Sequence, residues 1–143
     1  MKRISLSVIL IVCLIAIVAA TVQAAELAVI VNKNNAADVN KAMVEKIYSG
    51  DMGMWPQGGL IAPIDFPADS AERAGFTTRL LGKSVSAYMS VWSIKLFSGK
   101  ATPPKVLPSD DEVKQAVAGN KNAIGYIKAS SVDGTVKSVL TLK

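Results

Sequence analysis

The feature that most constrains this fold is an uncharged apolar run of 17 residues at positions 4–20, preceded by Met1, Lys2 and Arg3. A short basic head, an apolar stretch and then small residues are typical of a secretory signal peptide. Val22 and Ala24 lie where signal peptidase requires small side chains. We therefore predict a cleaved signal peptide at residues 1–24, a mature chain at residues 25–143, and a periplasmic or secreted location. The alternative is an uncleaved anchor, since such a run lies at the short end of what spans a bilayer.

The residue types of the predicted mature chain exclude several kinds of site. The sequence has no histidine, and its one cysteine, Cys13, lies inside the apolar run. Disulfides, zinc sites and Cys–His or Ser–His catalysis are therefore excluded. The only close group of acids, residues 110–112, is explained as a helix start. We expect no enzyme activity, no metal and no cofactor.

Chain length and net charge limit the number of domains and the kinds of partner. The 119 residues from Ala25 onward suit a single domain. The net charge falls from +5 to +3 when Lys2 and Arg3 leave with the signal peptide. The remaining charges are dispersed and form no basic block, so we expect no nucleic acid partner.

Hydrophobic periodicity predicts an α/β fold with a central mixed sheet flanked by helices. Short β-branched or alternating runs predict strands at residues 26–31, 60–66, 123–128 and 135–142. Residues 99–108 hold three prolines and are predicted to be extended. Four helices are predicted between these segments, from residue 39 to Gly50, from Asp69 or Ser70 to Gly82, from Ser84 onward, and from the capping box Ser109–Glu112 to Gly119. The third carries an apolar stripe of Val85, Tyr88, Met89, Trp92 and Leu96.

Five groups of residues carry a family resemblance. They are VNKN (31–34), KIYSG (46–50) with WPQG (55–58), PID (63–65), LFSGK (96–100) with TPP (102–104), and NAIGY (122–126). In this order and spacing they resemble the phosphate-type periplasmic solute-binding proteins of ABC transporters. The resemblance implies a PBP-like (type II) fold, in which family members close two lobes on an oxyanion. This chain has the length of one lobe.

The residues at the implied ligand loop depart from the family pattern. Members follow the strand equivalent to residues 63–65 with an Arg, and then with a Ser-Gly-Thr that opens a helix. Phe66 stands at the Arg position, Ser70 at the Ser position, and Ala71 and Glu72 at the Gly and Thr positions. A phosphate needs amide and hydroxyl donors and commonly a bidentate Arg. Ser70, the helix N-terminus and a substitute Arg73 remain as candidate anion ligands.

Each candidate also has an ordinary structural interpretation. Ser70 is a preferred helix cap, and Arg73 suits a solvated first turn. Asn32 and Asn34 either face a ligand at a strand end or belong to a turn. Asp69 and Glu72 either line a cation site or complement the helix dipole. Two interpretations likewise remain for Trp55, which lies in a Gly/Pro loop: a residue at an interface or binding site, or a packed one.

We therefore expect a solute-binding-like protein with a degenerate, weak anion site. Such a site requires a second surface that excludes water, either a homodimer partner or another periplasmic protein such as a transporter permease. The alternative function is a periplasmic interaction or scaffold protein that has lost ligand binding.

Overall fold

The computed structural model describes residues 24–143, so the predicted signal peptide lies outside the described residues except for Ala24. Five strands are present: β1 (Leu27–Val31), β2 (Ala62–Asp65), β3 (Lys105–Val106), β4 (Ala123–Lys128) and β5 (Lys137–Leu142). The helices are α1 (Lys41–Tyr48), α2 (Ala71–Phe76) continued by a π-helical turn (Thr77–Leu81), α3 (Val85–Phe97) and α4 (Asp110–Gly119), with a 3₁₀ turn at Ala129–Ser131.

The strands form one mixed sheet in the order β3-β2-β4-β1-β5. β2 is parallel to both of its neighbours, whereas β1 is antiparallel to β4 and β5. The predicted α/β class is thereby confirmed. The prediction missed β3, because two residues inside a proline-containing extended segment carry no periodic signal of their own.

The two faces of the sheet pack against different helices, and β4 shows how. At Gly125 an added Cβ would come within 2.7 Å of Val113 Cγ1, so the missing side chain allows α4 to approach this face closely. The next residue, Tyr126, points to the opposite face because side chains alternate along a strand. There its ring lies against Phe76 and Tyr48 of α2 and α1. β1 lies between two strands and is buried along its whole length.

Each helix begins at a residue whose side-chain oxygen accepts the backbone amide three positions on. The distances are 2.9 Å from Asn40 to the amide of Met43, 3.1 Å from Ser70, 3.1 Å from Ser84 and 3.2 Å from Ser109. The serine caps were predicted, whereas Asn40 was missed, because apolar Val39 precedes it and suits the helical pattern. The capping box at Ser109 differs from the predicted one in a single hydrogen bond. The Glu112 carboxylate accepts from the Ser109 hydroxyl at 3.2 Å rather than from a backbone amide.

Both tryptophans belong to the core. Trp55 is 2% exposed and donates its indole N–H to Asn122 O at 3.0 Å, which favours the packed interpretation over an interface. Trp92 donates its indole N–H to Tyr48 O at 3.0 Å and attaches α3 to the end of α1. Each buried indole thus has the hydrogen-bond partner that its N–H requires.

α3 departs from its predicted stripe. Tyr88 and Trp92 are buried, but Met89 is 45% exposed and Leu96 is 53% exposed. The helix is held to the domain along a narrow strip, so over the described range 24–143 one side of the apolar stripe stays about half exposed. In the part of the chain that the structure describes, no helix combines the length and apolar character needed to cross a bilayer.

Candidate functional site

The fold places a candidate site at one edge of the sheet. β2, β3 and β4 are parallel, so their carboxyl ends meet there. A cavity of about 360 Å³ opens at this edge, lined by Phe66, Glu72, Pro108, Ser109, Asp110, Asp111, Lys128 and Ser131. In open α/β sheets, ligands bind in the crevice beyond the carboxyl ends of the strands. We call this the strand-end cavity.

The strand-end cavity is lined by more acids than bases. Glu72, Asp110 and Asp111 stand in the first turns of α2 and α4, where carboxylates complement the helix dipole. Lys128 is the one cation in the lining, and its Nζ lies 3.5 Å from Glu72 Oε1. Asp110 Oδ2 accepts from Ser131 Oγ at 2.6 Å. An anion entering this cavity would therefore meet a net negative charge.

Ser70 acts as the cap of α2. Its hydroxyl accepts from the amide of Arg73 at 3.1 Å and donates to Pro67 O at 2.7 Å. The hydroxyl hydrogen is thus already used inside the protein, and a bound anion would have to displace Pro67 O to receive it.

Arg73 points into the protein, away from the strand-end cavity. It is 9% exposed, and its Nη1 donates to Phe66 O at 3.1 Å. Its Nε lies 3.7 Å from Asp65 Oδ2, and its guanidinium carbon lies 5.3 Å from the ring centroid of Tyr88. Asp65 and the Tyr88 ring therefore hold this charge by ion-pair and cation–π attraction.

Asp65 is the centre of a buried polar cluster that the sequence analysis missed. It is 1% exposed, and its Oδ1 accepts from the amide of Phe66 at 2.9 Å and from the hydroxyl of Tyr126. Asp65 Oδ2, Arg73 Nε and the Tyr88 hydroxyl are buried without a hydrogen-bond partner. A cavity of about 210 Å³ adjoins the cluster, with Asp65 and Arg73 in its lining. The available sequence signal was an acid at the end of an apolar strand, which predicts a buried cationic partner.

Asn32 and Asn34 lie at the opposite edge of the sheet from Ser70 and Arg73. β1 runs antiparallel to β4, so its last residue, Val31, pairs with Ile124 near the start of β4. Asn32 Nδ2 donates to Val117 O at 2.9 Å and to Ala118 O at 3.0 Å, at the end of α4. Asn32 Oδ1 accepts from the amide of Asn34 at 2.9 Å and closes a turn. The fold therefore brings Ser70 and Arg73 to one edge of the sheet and leaves the two asparagines at the other.

The sequence predicts no metal site. Within residues 24–143, no group of three or more Asp or Glu side chains is arranged to hold a metal ion.

The pKa of Asp65 leads to a testable pH dependence. Burial raises this pKa above 3.8, and the Tyr126 hydroxyl and Arg73 only partly oppose the shift. The folded state then binds the proton more tightly than the unfolded state, so the contribution of this carboxyl to stability falls as the pH rises from about 4 through its folded pKa. Asp65→Asn removes this pH-dependent contribution to stability. We expect the stability of the variant relative to wild type to increase between pH 4 and pH 7, as measured by urea unfolding.

A matched control for this experiment is Asp111→Asn, because the Asp111 side chain is 84% exposed. Only the slope with pH is diagnostic, since Asp65→Asn also changes the hydrogen bonding of this buried side chain at every pH. A stability difference that is flat, or that decreases as the pH rises, would contradict the raised pKa.

Comparisons with known proteins agree with this architecture. A family model described as the PBP superfamily domain matches residues 15–140. An ABC-type phosphate transport receptor from Vibrio cholerae is 26% identical with a TM-score of 0.63, over 80% of this chain and 46% of that one. A structure assigned to a phosphate ABC transporter substrate-binding protein with bound phosphate, from Clostridium perfringens, is also 26% identical with a TM-score of 0.63, over 82% of this chain and 46% of that one.

A third structure, PstS from Borrelia burgdorferi, is 18% identical with a TM-score of 0.60, covers 80% of this chain and 47% of its own, and supports the fold alone. No protein of curated function matches the chain. The chain spans about half the length of the solved structures that it matches. Its mixed sheet with flanking helices is the fold of a PBP-like lobe, and the family model covers most of its length. The chain therefore belongs to the PBP superfamily, and its resemblance is to the phosphate-type members.

Proposed function

We propose that this chain is a periplasmic or secreted solute-binding-like protein of the phosphate ABC transporter class, with a degenerate anion site. The general class rests on the family match and on the phosphate-transport proteins with the same fold. Under this proposal residues 1–24 are a cleaved signal peptide and residues 25–143 are one PBP-like domain. The proposed role is binding for transport, without catalysis.

The observation that most favours a degenerate anion site is that the side chains at the implied ligand loop are already packed or paired within the protein. Phe66, at the family's Arg position, is 2% exposed and its ring centroid lies 5.3 Å from that of Tyr126. It supplies packing in place of a guanidinium. Arg73 is paired with Asp65 inside the protein, and Ser70 is engaged as a cap. Glu72 adds a negative charge to the cavity.

The magnitudes favour weak binding. A millimolar dissociation constant already requires about 4 kcal/mol of binding free energy. Exposed charge contacts contribute roughly 0–1 kcal/mol each. Lys128 and the backbone amides of α2 would have to supply this free energy against three nearby carboxylates. Useful affinity then depends on a second surface that closes over the cavity, which is a homodimer partner, a transporter permease or another periplasmic protein.

Calorimetric titration with phosphate, sulfate and molybdate tests the proposal. We expect heat of binding only at millimolar phosphate or above. Glu72→Gln removes one carboxylate charge and is expected to tighten phosphate binding by about threefold to fivefold, which corresponds to roughly 1 kcal/mol. A matched control is Glu45→Gln, on α1 and away from the lining of the cavity.

The outcomes separate the candidate functions. No heat of binding at millimolar ligand would reject anion binding. The alternative function, a periplasmic interaction or scaffold protein, would then remain, and a stably co-purifying partner would support it. Micromolar binding by the isolated monomer would contradict the degenerate site. An ordered phosphate at Ser70 in a crystal would contradict the loss of binding.

A further inference from the structure

The outward face of α3 is an apolar surface that stays largely exposed among residues 24–143. We define the α3 face by the residues that share this side of the helix: Ser86, Met89, Ser90, Ser93, Leu96 and Phe97, with Ile94, which is 69% exposed, beside them. Spacings of three and four residues place them on one side of a helix. Met89 is 45%, Leu96 53% and Phe97 90% exposed. A surface helix of a globular protein typically carries charged or polar residues on its solvent-facing side.

The α3 face has no charge. Lys95 is the one charged residue of α3; its side chain is 19% exposed, and its Nζ lies 2.6 Å from Asp51 Oδ1. Interface centres are depleted of charged residues. The predicted mature chain carries a net charge of +3, so two copies repel each other weakly, and a neutral contact surface adds no local like-charge repulsion. The α3 face is such a surface.

The serines of the α3 face already have hydrogen-bond partners in the helix. Ser90 Oγ donates to Ser86 O at 3.1 Å, and Ser93 Oγ donates to Met89 O at 3.0 Å. Burying a hydroxyl is costly mainly when it loses its hydrogen bond. These two hydroxyls would keep theirs, so covering the face with another apolar surface costs little polar desolvation.

The sizes of the side chains select the geometry of pairing. The amino-terminal half of the face carries the small residues Ser86 and Ser90 on either side of Met89, and the carboxyl-terminal end carries the large residues Leu96 and Phe97. Two copies of α3 in antiparallel orientation would place Phe97 of one copy against Ser86 and Ser90 of the other. A parallel pair would instead set large residues against large ones. A twofold axis between the helices uses the same patch on both copies.

The available area suits a weak dimer. A buried aromatic side chain contributes roughly 150–250 Å², so Phe97, Met89 and Leu96 together offer on the order of 400 Å² of apolar surface. Standard interfaces bury about 800 Å² on each partner. The apolar surface continues beyond the helix, because Met89 and Leu96 also line the cavity next to Asp65 together with Pro103, Pro104 and Val106.

We propose that the α3 face is a homodimer interface in which two copies of the chain pair through antiparallel α3 helices. The inference goes beyond the proposed function, because the α3 face shares no residue with the lining of the strand-end cavity. The pairing also covers the mouth of the cavity beside Asp65 and Arg73, since Met89, Ser93 and Leu96 form part of its lining.

Sedimentation equilibrium tests the interface without any ligand. The protein is produced from the whole 143-residue chain, and its amino terminus is determined by mass spectrometry. We expect a reversible monomer–dimer equilibrium with a dissociation constant of about 1–100 µM. Ser93→Glu places a charge at the centre of the face, and is expected to weaken the dimer at least tenfold. Gln115→Glu, at an exposed position of α4, is the matched control and leaves the constant unchanged.

Mixing two variants tests the orientation. In an antiparallel pair, position 93 of one copy lies near position 90 of the other. A mixture of Ser93→Glu and Ser90→Lys is therefore expected to form heterodimers more tightly than either variant forms homodimers. Circular dichroism confirms that each exposed substitution leaves the fold intact.

Several results would overturn the inference. One is a wild-type protein that stays monomeric at about 1 mM, roughly ten times the weakest dissociation constant expected above. Another is a dimer that Ser93→Glu leaves as tight as wild type, which would place the contact elsewhere. The third is a photocrosslinker at position 97 that captures another protein in the native host and no second copy. If the protein dimerises but gives no heat of binding with phosphate, anion binding is rejected and the dimer stands. If a monomer binds phosphate, the dimer is rejected and anion binding stands.

Discussion

Phe76→Ala is expected to lower the free energy of unfolding by about 3–5 kcal/mol, the range found when a buried aromatic side chain is truncated. Phe76 is 1% exposed, and its ring stacks on Tyr126 with 3.7 Å between centroids and meets the edge of Tyr48 at 4.7 Å. These three rings join α1, α2 and β4. The substitution removes the central ring and leaves a cavity between two helices and the sheet. Urea unfolding followed by circular dichroism measures the effect.

The control for Phe76→Ala is Phe76→Leu, which retains most of the side-chain volume. Its cost is expected to stay below about 1.5 kcal/mol, since only shape and ring stacking change. Domains of this size have a total stability of about 5–15 kcal/mol, so the alanine variant is expected to be visibly less stable at 37 °C. A loss for Phe76→Ala below about 1 kcal/mol would mean that the ring cluster is not a main stabilising contact.

Trp92→Ala is expected to cost a similar 3–5 kcal/mol, because it removes a main attachment of α3. Trp92 is 5% exposed, and Tyr88 is the only other buried residue of this helix. Trp92 also packs against Gly50, where an added Cβ would lie 2.9 Å from the indole ring and where φ is +76°. α3 is therefore expected to loosen before the sheet unfolds. Trp55 then remains as the only tryptophan, and its emission reports on the rest of the core.

The control here is Trp92→Phe, which keeps an aromatic ring but removes the indole N–H that donates to Tyr48 O. Leaving that carbonyl without its partner is expected to cost about 1–3 kcal/mol. Equal losses for Trp92→Ala and Trp92→Phe would show that the hydrogen bond, and not packing, holds α3. Early loss of helical signal with unchanged Trp55 emission would support the expected order of unfolding.

The positions of most helices and strands could be predicted because their signals are local. Ser70, Ser84 and Ser109 each begin a helix as expected, since a cap needs only the amide three residues ahead. The apolar run of β1 and the alternation of β5 are likewise properties of a few adjacent residues. β3 escaped prediction because its two residues pair with β2 and have no pattern of their own.

The candidate site was less accessible to sequence reasoning because it depends on strand direction. The pattern shows that β1 is a strand, but not that it runs antiparallel to β4. That direction carries Asn32 and Asn34 to the edge of the sheet opposite Ser70. The direction in which the Arg73 side chain points could not be predicted either, because only the folded protein brings Asp65 and Tyr88 close to it.

Sequence alone determined the α/β class, the exclusion of thiol and imidazole chemistry from residues 25–143, and the departure of Phe66, Ala71 and Glu72 from the phosphate-type ligand loop. These follow from residue identity and short-range periodicity. The export signal stays a prediction from sequence. Tertiary structure alone decided that Arg73 turns inward, that acids of α2 and α4 converge on one cavity, and that the α3 face stays exposed among the described residues. Those outcomes depend on contacts between residues far apart in the chain, which no local pattern encodes.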